Sequence, residues 1–95
     1  MESARDWFRA QDDVLSTWLG DDGVVVDLRR KLYHTLNASA MVVFEAVENG
    51  NDVAAASDAL LRRFRSSPER AREAARNALT RLVALELVKA VARPA

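Results

Sequence analysis

Among side chains that could act on a substrate, bind a metal or hold an anion, the sequence offers one histidine, no cysteine and twelve arginines. His34 stands without a second histidine or a thiolate, so no zinc-type ligand set can form around it. A place on a strand, near its edge or against the sheet, is the expected role. No serine–histidine–acid grouping, Gly-rich phosphate loop or nucleophile motif is present. The chain is therefore not expected to be an enzyme, and no cofactor or metal is implied. The acid pairs Asp12-Asp13 and Asp21-Asp22 lack the alternation, glycine and terminal glutamate of a calcium loop, and read as solvated turns. What remains is recognition chemistry. Arginine holds carboxylates and phosphates in a fixed fork, and the charge is unevenly spread. Residues 1–58 carry eleven acids and five bases, whereas residues 59–95 carry three acids and nine bases, for a net charge of zero. The basic half could meet nucleic acid or an acidic peptide, or the two halves could neutralise each other within one fold.

The elements that must position these residues are short. With 95 residues, 49% of them apolar and 29% charged, the chain has material for one domain with one modest core. No stretch approaches the roughly 20 apolar residues of a membrane helix. The N-terminus lacks the basic start and apolar run of a signal peptide, and a cytoplasmic location is expected. Val14 to Leu19 reads as a strand that stops at Gly20-Asp21-Asp22-Gly23. Val24 to Leu28 is a β-branched second strand, and Leu32-Tyr33-His34-Thr35-Leu36 is a third after Arg29-Arg30-Lys31. Trp18 is expected to cover the core. Asn37 then opens a helix as its N-cap, with Ala40, Val43, Phe44 and Val47 at helical spacing and Asn49-Gly50 as its stop. Asp52 caps a second helix, whose apolar side is Val53, Ala56, Leu60, Leu61 and Phe64. Ser67-Pro68-Glu69 starts a third, running to about Glu86. Leu87 to Val91 continues it or forms a closing strand. The expected fold is α+β, winged helix-turn-helix-like: a three-stranded antiparallel sheet followed by three helices. Residues 1–12 stand outside the 13–95 domain as an N-terminal extension, where Ala4, Trp7 and Phe8 suggest one amphipathic helical turn.

Val24 to Leu28, the basic link, Leu32 to Asn37, Ala38-Ser39-Ala40, Val42 to Val47 and Gly50 together resemble the PqqD-like family. Its pattern is an aliphatic strand ending in Asp, a turn, an aromatic strand ending in Leu-Asn, and a helix. Two further helices and a Leu-rich closing segment follow. Ser67-Pro68-Glu69 and Leu82, Leu85, Leu87 and Val88 fit those last places, so the resemblance spans roughly residues 13–91. The sequence departs from it in lacking a glycine at Leu28–Lys31, in Ser39-Ala40 where Thr-Gly is frequent, and in Val43-Phe44 where Ile-Trp is usual. The resemblance implies a recognition element for ribosomally made, post-translationally modified peptides. Such a protein binds the leader of a precursor as an added strand beside the third helix. It then presents the peptide to a radical SAM enzyme, or to a leader protease or cyclase. Leu36-Asn37 points away from pyrroloquinoline quinone synthesis and toward another pathway, lasso peptides foremost.

The residues support a peptide groove in their own right. An edge strand offers unpaired N–H and C=O groups to an extended peptide, and Leu32 to Leu36 carries no proline or inward charge to block it. Tyr33 is expected mainly to pack, with its hydroxyl available at the rim. On the third helix, Ala71, Ala75, Ala78, Leu82 and Leu85 make a core stripe on a wheel of about 100° per residue. Leu79 and Val83 lie off one flank, with Arg72 and Arg76 further round; they either widen the core or form an arginine-bordered ledge facing the strand. The expected site is therefore Leu32, Tyr33, His34, Thr35 and Leu36 opposite Arg72, Arg76, Leu79 and Val83. The alternative is a winged-helix DNA-binding regulator, using Arg70, Arg72 and Arg76 of the helix-turn-helix-like pair. Zero net charge and acids on the strand hairpin argue against nucleic acid as partner.

Overall fold

The computed structural model describes residues 7–94. They run β1 (Trp7–Ala10), β2 (Val14–Leu19), β3 (Asp22–Asp27), β4 (Leu32–Leu36), α1 (Ala38–Val47), β5 (Asn51–Asp52), α2 (Val53–Arg63), α3 (Pro68–Ala84) and β6 (Val88–Val91). The meander and three helices follow the expected plan. β2, β3 and β4 form one antiparallel sheet with β3 in the centre. Val25 sits opposite Ser16 on one side and His34 on the other. β3 begins at Asp22, because the turn needs only Gly20 and Asp21 between Leu19 and its partner Asp22. Gly20 takes the positive φ of 63° there.

All three caps are as expected. Asn37 accepts from the Ala40 amide at 2.9 Å, Asp52 from Ala55 at 2.9 Å and Ser67 from Arg70 at 3.2 Å, each satisfying a first-turn N–H with no partner in its own helix. α1 buries Met41, Val42, Val43, Phe44 and Val47. Such a helix is apolar on most sides because it is packed on most sides, here by both sheets, α2 and α3. α3 stops at Ala84, short of the expected end. Glu86 turns left-handed at φ 60°, while the Leu87 amide donates to the Leu82 carbonyl and that of Glu86 to Val83. This is the double bond pattern of a helix C-terminus, with glutamate where glycine is usual.

A second sheet, in the order β5-β1-β6, corrects the reading of the N-terminus. Trp7 and Phe8 lie in a strand, not in a helical turn: Trp7 pairs with Val91 and Phe8 with Ala90 along β6, and both meet β5 on the other side. Ala4 lies outside the described residues. Of the segment Leu87–Val91, Val88–Val91 forms the closing strand of this sheet, and Leu87 lies in the bend before it. At Gly50, where φ is 103°, an added Cβ would lie 2.8 Å from Trp7 Nε1, so the turn after α1 can hold only glycine beneath that ring.

Candidate peptide-binding site

Among the described residues β4 is an edge of its sheet, hydrogen-bonded to β3 on one side only. Its side chains alternate with the pleat. Leu32, His34 and Leu36 share the inner face with Val25 and Asp27, while Tyr33 and Thr35 project outward beside Val26 and Val24. Leu36 is buried; Tyr33 is 78% exposed, which excludes the packing role expected for it. His34 is half-buried, and its Nε2 atom is covered with no hydrogen-bond partner among the described residues.

The turn leading into β4 is built from Asp27. Its buried carboxylate accepts from the Arg29 and Arg30 amides at 3.1 Å each through Oδ1, and Lys31 supplies the left-handed φ of 59° that closes the turn. Arg30 also pairs with Glu86, which ties this turn to the end of α3. At the opposite edge, Trp18 donates from Nε1 to Glu45 at 3.0 Å, and Arg63 lies 5.2 Å over its ring. That clamp joins β2 to α1 and α2, a tie no sequence spacing announces.

The expected partner surface on α3 lies elsewhere. The buried stripe is Ala71, Ala75, Leu79 and Leu82, and Leu79 is only 1% exposed. Ala78 and Leu85, expected in the core, are partly buried at its margin. The stripe is rotated toward Leu79 because α3 packs on β6 as well as on α1 and α2. Arg72, Arg76, Leu79 and Val83 do line one hollow together, of about 660 Å³. Its other walls come from Phe8, Ala90, Asp52, Val53 and Arg93. No residue of β4 reaches it, so the nine expected residues fall into two separate surfaces.

The order of an aliphatic strand ending in Asp27, the strand ending in Leu36-Asn37, and three helices is matched by a known family along most of the chain. The family described as coenzyme PQQ synthesis protein D (PqqD) matches residues 22–88. The chain belongs to the PqqD family. No curated protein matches it. Two solved structures share the fold. One is titled "TbiB1 in Complex with the TbiA(beta) Leader Peptide", with a TM-score of 0.74 and 22% identity over 90% of this chain and 99% of that one. The other is titled "Lasso peptide synthetase B1 complexed with the leader peptide", with a TM-score of 0.71 and 18% identity over 85% and 95%. In this PqqD-family chain, the described residues contain no group of three or more metal-binding side chains, and no helix long and apolar enough to cross a membrane.

Proposed function

We propose that this PqqD-family chain binds the leader segment of a ribosomally synthesised precursor peptide, as a strand added to β4. It presents that peptide in the cytoplasm to a modifying or processing enzyme and catalyses nothing itself. The carrying observation is the unpaired β4 edge in a fold shared with two leader-peptide complexes. An extended peptide there gains backbone hydrogen bonds along Leu32–Leu36, and its alternate side chains meet Leu32 and His34 on one face and Tyr33 and Thr35 on the other. Those five residues are the proposed contacts. The neighbour titled as a lasso peptide synthetase B1 favours a lasso-peptide pathway, hence a leader protease or cyclase over a radical SAM enzyme.

The DNA reading gains nothing from the structure. Glu69 and Glu73 interrupt the arginines of the first turns of α3, and the β2–β3 turn would carry Asp21 and Asp22 toward phosphates. The test is fluorescence anisotropy with labelled leader peptides, the TbiA(beta) leader and the chain's own precursor leader. Saturable binding is expected, lost when a proline replaces a residue of the pairing segment. Undiminished binding of the proline peptide, or no binding by either leader, would remove the strand-addition reading.

A further inference from the structure

We infer that the hollow between α3 and the β5-β1-β6 sheet is a second docking site, for an acidic segment of a partner protein anchored by one aliphatic or aromatic side chain. The floor is apolar. Phe8 and Ala90 face each other across the β1–β6 ladder, and Leu79, Val83 and Val53 complete it. Three arginines stand around that floor, and the one acid among them is already engaged. Asp52 caps α2 through Oδ1 and pairs with Arg93 at 3.4 Å through Oδ2, while Arg93 also lies 5.4 Å over the Trp7 ring.

Arg72 and Arg76 are different. Both are exposed, and neither side chain has an ion pair or hydrogen bond among the described residues. Four residues apart on one helix face, the two like charges repel each other, an effect that Glu69 and Glu73, three residues before each, offset without forming an ion pair. A carboxylate lying between them relieves that repulsion and accepts from both forks. The hollow does not end at them. Arg72, Arg76 and Ala54 also line an adjoining space of about 520 Å³ between α2 and α3, where Leu61 and Pro68 give a second apolar surface. The buried Ser57, whose hydroxyl has no hydrogen-bond partner among the described residues, lines the same space.

An apolar floor, an arginine pair and a further groove in line fit an extended chain better than a compact anion. The acids Asp58, Glu69 and Glu73 at the far end oppose a continuous phosphate backbone, and they confine the peptide's own carboxylates to the Arg72–Arg76 end, leaving Leu61 and Pro68 for its apolar side chains. Because β4 contributes to neither space, the occupant is not the leader strand proposed above. It is a segment of another protein, held while the leader lies on β4.

The probe is a fluorescein-labelled peptide, Glu-Glu-Leu-Phe-Glu-Leu-Glu-Glu, titrated against the full chain by anisotropy, alone and with saturating TbiA(beta) leader. Binding is expected to be salt-sensitive and unchanged by the leader. It should weaken about tenfold or more in Arg72→Ala/Arg76→Ala, whose unchanged urea midpoint confirms the fold. An Ala90→Trp variant, filling the floor, should weaken it independently. No binding by the probe, or equal binding by the double-alanine variant, overturns the inference. So does displacement by the leader, and so does a labelled DNA duplex that binds more tightly than the peptide and is lost on the same substitutions. Leader binding is read separately, so a chain that takes the leader but not the probe fails this inference and leaves the first reading standing.

Discussion

At Asp27 one nearly fully buried carboxylate organises the turn that sets β4, accepting both the Arg29 and Arg30 amides through Oδ1. Arg30 Nε is 3.9 Å from the second oxygen, Oδ2, which has no hydrogen bond among the described residues. Asp27→Ala leaves two turn amides without their acceptor and an empty volume beneath them, a loss of about 1–3 kcal/mol. Asp27→Asn keeps an oxygen at the Oδ1 position and should lose clearly less. Urea denaturation of the two variants checks this, and equal losses would show that charge, not hydrogen bonding, holds the turn. The sequence made Asp27 visible as the end of an aliphatic strand, but not its acceptor role. That depends on the left-handed Lys31 folding the turn back over the carboxylate, and lysine does not advertise such a conformation as glycine would.

At the scale of the elements, what was legible is what neighbours in sequence decide. Asn37, Asp52 and Ser67 mark helix starts because a cap bonds within three residues of itself. The meander is visible because its turns join adjacent strands. The rotation of α3 is not of that kind. Its arginines and alanines leave the wheel with two defensible apolar stripes, one through Ala78 and Leu85 and one through Leu79, and only the strand β6 beside it decides between them. The consequence is measurable. Leu79→Ala opens a cavity among Ala75, Leu82 and the neighbouring core and should cost about 2–5 kcal/mol. Val83→Ala, at the half-buried margin, should cost about 1 kcal/mol or less. Comparable urea midpoints for the two variants would restore Leu79 to the surface ledge that the wheel first suggested. The same rotation explains why the candidate site was half legible. The β4 edge follows from its own strand, whereas the surface opposite Arg72 and Arg76 is made by Phe8 and Ala90, over 80 residues apart in the chain.

For the molecule as a whole, β1 decides whether the two ends of the chain belong to the domain. It is the central strand of its sheet, so β5 and β6 are each paired to it and not to one another. Beyond the ladder, the Ala10 amide donates to the Glu48 carbonyl and Gln11 to Leu87, fastening the segment to the end of α1 and the approach to β6. Trp7 stacks with Arg93 and covers Gly50, and Phe8 packs against the core cluster. Two aromatic side chains that are half-buried contribute about 1–2 kcal/mol each. Deleting the strand itself also strips β6 of its ladder, although Val88 at its start is buried in the core. A domain of this size has a total stability of about 5–15 kcal/mol. Deleting residues 1–10 should therefore cost a third of it or more, and lower the urea midpoint in proportion. The double variant Trp7→Ala/Phe8→Ala, which keeps the backbone of β1, should lose about half as much. Leader binding on β4 should persist wherever the truncated chain is still folded, since β4 belongs to the other sheet. A truncated chain with the full-length midpoint would mean that the β5-β1-β6 ladder adds nothing to the fold, and that residues 7–10 are an extension after all.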